Sequence, residues 1–198
     1  SLIRGGHNSF AVRVEEKEIK APVYMYNLIA ALNKETIEKH KNLLVPNGGI
    51  IYDSSLGDIY ELGVRRDAKL YSIPMKEILD KNKAPVVMKN SILLGASLAI
   101  LDYDFKFLQE SIKSFNKKKG KPTKQEKLNE ELAKEGYDYI KNNYQYLELG
   151  IKIEKKDYQE KMMINGNQAI ALGAMRAGCK FISAYPMTPS TGIMLTYA

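Results

Sequence analysis

The chain is 198 residues long, 44% hydrophobic and 27% charged, so it has the apolar content to bury a core and reads as globular rather than disordered. A single cysteine, Cys179, excludes an internal disulfide framework and a self-contained iron–sulfur cluster, and His7 and His40 lack the Cys or acidic neighbours of a zinc site. The formal net charge of +7 is concentrated in lysine-rich stretches at 116–127 and 152–161, which carry no interleaved aromatic platform and read as solvated loops, so no nucleic-acid partner is expected.

In chain order, "FAVRV" (10–14) alternates apolar and polar residues and predicts a strand. "VYMYNLIAAL" (23–32) predicts a buried strand, although its second half equally suits a helix start. "NKETIEKHKNLL" (33–44) predicts an exposed amphipathic helix, broken by "PNGG", and "IIYDSS" (50–55) a short buried strand. A strand is expected over Lys69–Ile73, followed by Pro74 at the start of a short helix. "SILLGASLAIL" (91–101) predicts a buried helix in which Gly95 and Ala96 let a neighbour approach closely. It falls well short of the roughly 20 residues of a membrane span, and with no signal peptide visible a cytoplasmic protein without a membrane partner is expected.

Phe105, Leu108, Ile112 and Phe115 line one face of a further helix ending near Gly120. A long helix follows through "QEKLNEELAKEGYDYIKNNYQYL", with Leu128, Leu132 and Tyr139 inward and Gly136 as a weak spot. The alternation of strands and helices predicts an α/β layer fold over residues 1–150, then a polar linker at 151–162. A second α/β unit is expected from 163 to 198: a helix in "INGNQAIALGAMRAGC", a strand in "KFISAY", a loop in "PMTPS" and a new helix in "TGIMLTYA". Cys179 is expected to pack as a small apolar residue before that strand.

Three stretches carry candidate chemistry. Arg4, Gly5 and Gly6 precede the first predicted strand; the glycines allow positive φ, so this is either a tight connection or a loop facing a ligand or another chain. Gly48 and Gly49 lack the order of a dinucleotide fingerprint and predict a turn. In "AYPMTPST", Pro186 and Pro189 stiffen the backbone around Thr188, and Ser190 or Thr191 suits the N-cap of the next helix. Such a loop at the carboxyl end of a strand is either an ordinary cap or a site where a carboxylate takes the Thr hydroxyl and free N–H groups.

"INGNQAIALGAMRAGCKFISAYPMTPST" closely resembles the opening of the α subunit of thiamine-diphosphate-dependent 2-oxoacid:ferredoxin oxidoreductases. "IRGGHNSFAVRV", "NSILLGASLAIL" and "EELAKEGYDYI" resemble the γ domain of the same enzymes, and the order γ then α resembles the fused subunit of the 2-oxoglutarate or broad-specificity members. The resemblance implies a Rossmann-like γ domain followed by the start of a pyrimidine-type α/β domain. It implies CoA-dependent oxidative decarboxylation of a 2-oxoacid, 2-oxoglutarate ahead of pyruvate, with electrons passing to ferredoxin.

By that resemblance Thr188 contacts the 2-oxoacid, and Tyr185, Pro186, Pro189 and Ser190 form its loop. Met187 stands where Ile is usual, and Thr191 where Ser is common. Arg4, Gly5, Gly6 and Asn8 would face CoA or a partner subunit. Thiamine diphosphate with Mg2+ would sit at the interface with a partner β subunit, and the iron–sulfur cluster on a partner chain. The matched stretches begin at the family's second loop, so a glycine-rich strand–turn–helix and the remainder of the α domain are expected to lie outside this sequence, leaving it inactive alone. The rival reading is a γ-type module that binds CoA or docks a subunit without chemistry of its own.

Overall fold

The computed structural model describes residues 6–116, 123–145, 148–151, 153, 162–188 and 190–198. Arg4, Gly5, Pro189, the lysine run after Asn116 and most of the expected linker lie outside them. The chain divides into two compact units, Ser1–Glu154 and Lys155–Ala198.

The first unit is built on three parallel strands in the order β1-β2-β3: β1 Tyr26–Ala31, β2 Leu44–Asp53 and β3 Lys69–Ile73. Helix α1, Lys34–His40, links β1 to β2. Asn33 starts it, its side-chain oxygen accepting the Thr36 N–H at 2.9 Å. Two 3₁₀ turns link β2 to β3.

The central strand is buried on both faces, which is why "IIY" reads as an unbroken apolar run. Ile50 and Tyr52 pack with Ile29, Ala31 and Ile37 on the α1 side. Ile51 packs with Tyr71 and Ile73 on the other side, beneath α2 (Met75–Lys81), α3 (Lys89–Ile100) and α5 (Lys124–Asn143). Each fully buried Ile is worth about 1.5–3 kcal/mol of burial. Helix α4, Phe105–Asn116, precedes α5 and anchors through buried Phe105.

The tightest packing is the crossing of α3 and α5. A Cβ on Gly95 would lie 1.8 Å from the Ala133 carbonyl oxygen, and one on Gly136 would lie 2.2 Å from that of Ile92. The two glycines let backbone meet backbone. Gly136 therefore belongs to a helix contact, and the expected weak spot in α5 is the place where it is held. Thr123 and Glu126 form a capping box at its start. The free edge of β3 is closed by Tyr144, whose hydroxyl accepts the Ser72 N–H and donates to the Ser72 carbonyl, both at 2.9 Å.

Two expectations for this unit are corrected. "FAVRV" forms no strand: residues 6–25 have neither helix nor strand, and Phe10, Val12 and Val14 stay exposed because no ladder partner lies beside them among the described residues. "PNGG" is no turn between helix and strand; it lies inside β2. Pairing runs from Tyr26 with Leu44 directly to Leu28 with Gly49, so Val45–Gly48 bulge out of the ladder, with Asn47 at φ 57°. Pro46 has no N–H to pair, and Asn tolerates positive φ, so the residues that signal a turn serve equally as a bulge.

Among its described residues the second unit has two helices, α6 Gly166–Arg176 and α7 Ser190–Tyr197. Asn165 and Gln168 cap α6 reciprocally, each bond at 2.9 Å. The predicted strand at 180–185 does not form, and Phe181 is exposed, since a strand is stable only beside another. Among the described residues of this unit only Ala171 is buried.

Candidate functional site

The second unit holds the proline–threonine loop between Tyr185 and the start of α7. Pro186 brings no N–H, and the Met187 N–H donates back to the Tyr185 carbonyl at 2.8 Å, folding the chain tightly. The Thr191 N–H donates to the Met187 carbonyl at 3.1 Å and joins the loop to the helix. Ser190 Oγ lies 3.0 Å from the Tyr185 oxygen and 2.6 Å from the Met187 oxygen, and its one proton is shared between them.

Neither Ser190 nor Thr191 is the expected N-cap, because both lie inside α7. The Ser190 hydroxyl donates to loop carbonyls where a cap would accept a helical N–H. Thr188 is exposed, and its hydroxyl has no hydrogen-bond partner among the described residues. Tyr185 and Met187 are exposed beside it. The loop thus holds its backbone by internal bonds and leaves the Thr188 hydroxyl exposed. Cys179 is exposed, not packed; its Sγ lies 3.2 Å from the Phe181 carbonyl oxygen, and the Tyr197 hydroxyl donates to the Cys179 carbonyl.

In the first unit, Gly6 takes φ 78° and Asn8 is exposed. His7 ties this loop to the end of α1: its Nε2 lies 2.9 Å from His40 Nε2, one ring donating and the other accepting.

Sequence reasoning passed over a buried ion pair in the same unit. Asp53 ends β2, is 1% exposed, and meets Lys89 Nζ at 2.5 Å where α3 begins; its other oxygen accepts the Ser55 N–H at 3.1 Å. Burial pushes the Asp53 carboxyl up, but the Lys89 ammonium and the Ser55 donors outweigh it and hold the group below the usual carboxylate range. The signal was a lone carboxylate closing the apolar run "GGIIYD", with a lysine opening the apolar helix "KNSILLGA". The pair sits at the carboxyl end of a central parallel strand, where α/β sheets present ligands.

A cavity of about 430 Å³ lies between Tyr71, Ile140, Lys141, Tyr144 and Leu149. Two of its polar side chains are committed, Lys141 to Asp102 at 2.7 Å and Tyr144 to Ser72. Among the described residues no group of three or more His, Cys, Asp or Glu could hold a metal ion, and no helix is long and apolar enough to cross a membrane.

Residues 1–139 match the family described as pyruvate ferredoxin/flavodoxin oxidoreductase. The 2-oxoacid:ferredoxin oxidoreductase subunit alpha of a Sulfolobus species is 23% identical over 96% of this chain and 35% of its own length. The 2-oxoglutarate synthase subunit KorA of Methanothermobacter thermautotrophicus is 56% identical over 34 residues, 17% of this chain and 9% of its own. In structure, the chain resembles the 2-oxoglutarate:ferredoxin oxidoreductase of Magnetococcus marinus, which was solved with 2-oxoglutarate, coenzyme A and succinyl-CoA bound. The TM-score is 0.72 at 24% identity, over 89% of this chain and 31% of that one, a likeness of fold. The chain thus spans about a third of the length of the relatives it matches end to end. With residues 1–139 of 198 matched, it belongs to the pyruvate ferredoxin/flavodoxin oxidoreductase family.

Proposed function

We propose that this chain is part of a fused γ–α subunit of a CoA-dependent 2-oxoacid:ferredoxin oxidoreductase, with 2-oxoglutarate as its 2-oxoacid. Residues 1–150 act as the γ-like domain, 151–162 as the linker and 163–198 as the opening of the α domain. The observation that carries the reading is the loop from Tyr185 to Ser190, in which the Tyr185 and Met187 carbonyls are tied by hydrogen bonds while the Thr188 hydroxyl stays exposed and without a partner among the described residues. In this role Thr188 donates its hydrogen bond to the carboxylate of the 2-oxoacid. A bond to a charged acceptor is worth about 1.5–3 kcal/mol, enough to orient a small substrate. The preference for 2-oxoglutarate is supported by the names of the short-range relatives and of the structural neighbour.

By the family resemblance, thiamine diphosphate with Mg2+ is assigned to an interface with a partner β subunit, the iron–sulfur cluster to a partner chain, and ferredoxin to the role of electron acceptor. CoA is the co-substrate, with Gly6 and Asn8 in the loop assigned to it or to a subunit, together with Arg4 and Gly5.

The test is an assay of the native complex with ferredoxin as acceptor. Reduction that needs both CoA and 2-oxoglutarate, and is faster than with pyruvate, is expected. Pyruvate preference overturns the substrate assignment, and CoA-dependent binding without any 2-oxoacid oxidation favours the rival docking module.

A further inference from the structure

We infer that Ser190 is a positioning residue for Thr188, an assignment that rests on the substrate-loop reading above. One hydroxyl proton reaches two carbonyls, Tyr185 at 3.0 Å and Met187 at 2.6 Å. Those carbonyls bracket the turn that carries the chain into Thr188. Each accepts a second bond: Tyr185 from the Met187 N–H at 2.8 Å, Met187 from the Thr191 N–H at 3.1 Å.

Pro186 fixes one φ in this stretch. The Met187 peptide joins directly to Thr188, so the bond that holds the Met187 oxygen also sets the orientation of the Thr188 backbone and the direction of its side chain. Removing the Ser190 hydroxyl leaves the Thr191 N–H as the only described tie between loop carbonyls and α7. Thr188 then samples orientations in which its hydroxyl misses the carboxylate. Ser190 acts through Thr188 and touches no substrate.

The test uses the assembled oxidoreductase with 2-oxoglutarate and four variants: Ser190→Ala, Ser190→Thr, Thr188→Val and the double Ser190→Ala/Thr188→Val. Losing one such hydrogen bond should raise KM for 2-oxoglutarate about tenfold in Ser190→Ala, with KM for CoA unchanged. Ser190→Thr, which keeps the hydroxyl, should stay within about twofold of wild type. The double variant should be no worse than Thr188→Val, because the two groups act as one unit.

A Ser190→Thr variant as impaired as Ser190→Ala overturns the inference, as does a double variant whose losses multiply or a Ser190→Ala variant with an unchanged KM. If Thr188→Val is impaired while Ser190→Ala is not, only the positioning role falls. If Thr188→Val is unimpaired, the substrate-loop reading falls, and this inference with it. Should Ser190→Ala fail to assemble, Ser190→Cys replaces it; the thiol is a weak donor, so an unimpaired Ser190→Cys contradicts the role and a raised KM supports it.

Discussion

Helices α3 and α6 read alike in the sequence. "SILLGASLAI" and "NQAIALGAM" are both apolar, both laced with Ala, and both carry one internal glycine. Their surroundings are opposite. In α3, Leu93 is 5% exposed and Gly95 is pressed against the α5 backbone; in α6, Ile170 is 58% exposed and nothing lies within 4 Å of a Cβ built on Gly173. The same residue type is a packing requirement in one helix and only a cost in helix propensity in the other. The difference lies in what faces the glycine, a neighbouring backbone in α3 and nothing within 4 Å in α6, and that information is not local.

The largest effect expected from this comparison is at Gly95. Gly95→Ala puts a methyl group 1.8 Å from a backbone oxygen that no rotamer change can move. A loss on the order of 4 kcal/mol or more is expected, seen in thermal unfolding by circular dichroism as loss of the first unit's cooperative transition. A cooperative transition at the wild-type temperature would contradict the close crossing.

Next comes Lys89→Met, which strands the buried Asp53 carboxylate and should cost about 3–5 kcal/mol. The pH dependence follows from the sign of the shift. The Asp53 carboxyl is held low in the folded state, so its contribution is present above its unfolded value and lost as pH falls below about 4. Lys89→Met should flatten this acid limb in a urea-unfolding series.

Leu132→Ala, in the core under the sheet, should cost about 2–5 kcal/mol, whereas Leu195→Ala, 71% exposed in α7, should stay within about 0.5 kcal/mol. The smallest effect has the opposite sign: Gly173→Ala should stabilise α6 by up to about 1 kcal/mol, read as increased helicity. Destabilisation by Gly173→Ala would mean that α6 is packed as α3 is.

Where the chain supplies its own partners, the sequence was readable. The run over Lys69–Ile73 and the helix around Gly95 are set by local pattern plus an interior that exists within the first unit. The stretches 10–14 and 180–185 had the residues of strands but no ladder beside them among the described residues, so apolar alternation alone did not make them strands. "PNGG" shows another limit: turn chemistry and bulge chemistry use the same residues, and only pairing register separates them. Asp53 and Lys89 are 36 residues apart, and no spacing rule joins them. At the candidate loop, the prolines and the Thr were legible. The direction of the Ser190 hydrogen bond was not, because a hydroxyl can cap or donate and the choice depends on where the carbonyls of Tyr185 and Met187 lie.

The role proposed for the exposed Thr188 hydroxyl is to bind the 2-oxoacid. Its most direct test is the steady-state rate of CoA-dependent ferredoxin reduction by the complete enzyme, wild type against Thr188→Val, over a range of 2-oxoglutarate concentrations. Loss of a hydrogen bond to a carboxylate predicts a fall of roughly tenfold to a hundredfold in kcat/KM for 2-oxoglutarate, with KM for CoA unchanged. An unchanged kcat/KM for 2-oxoglutarate would contradict the account.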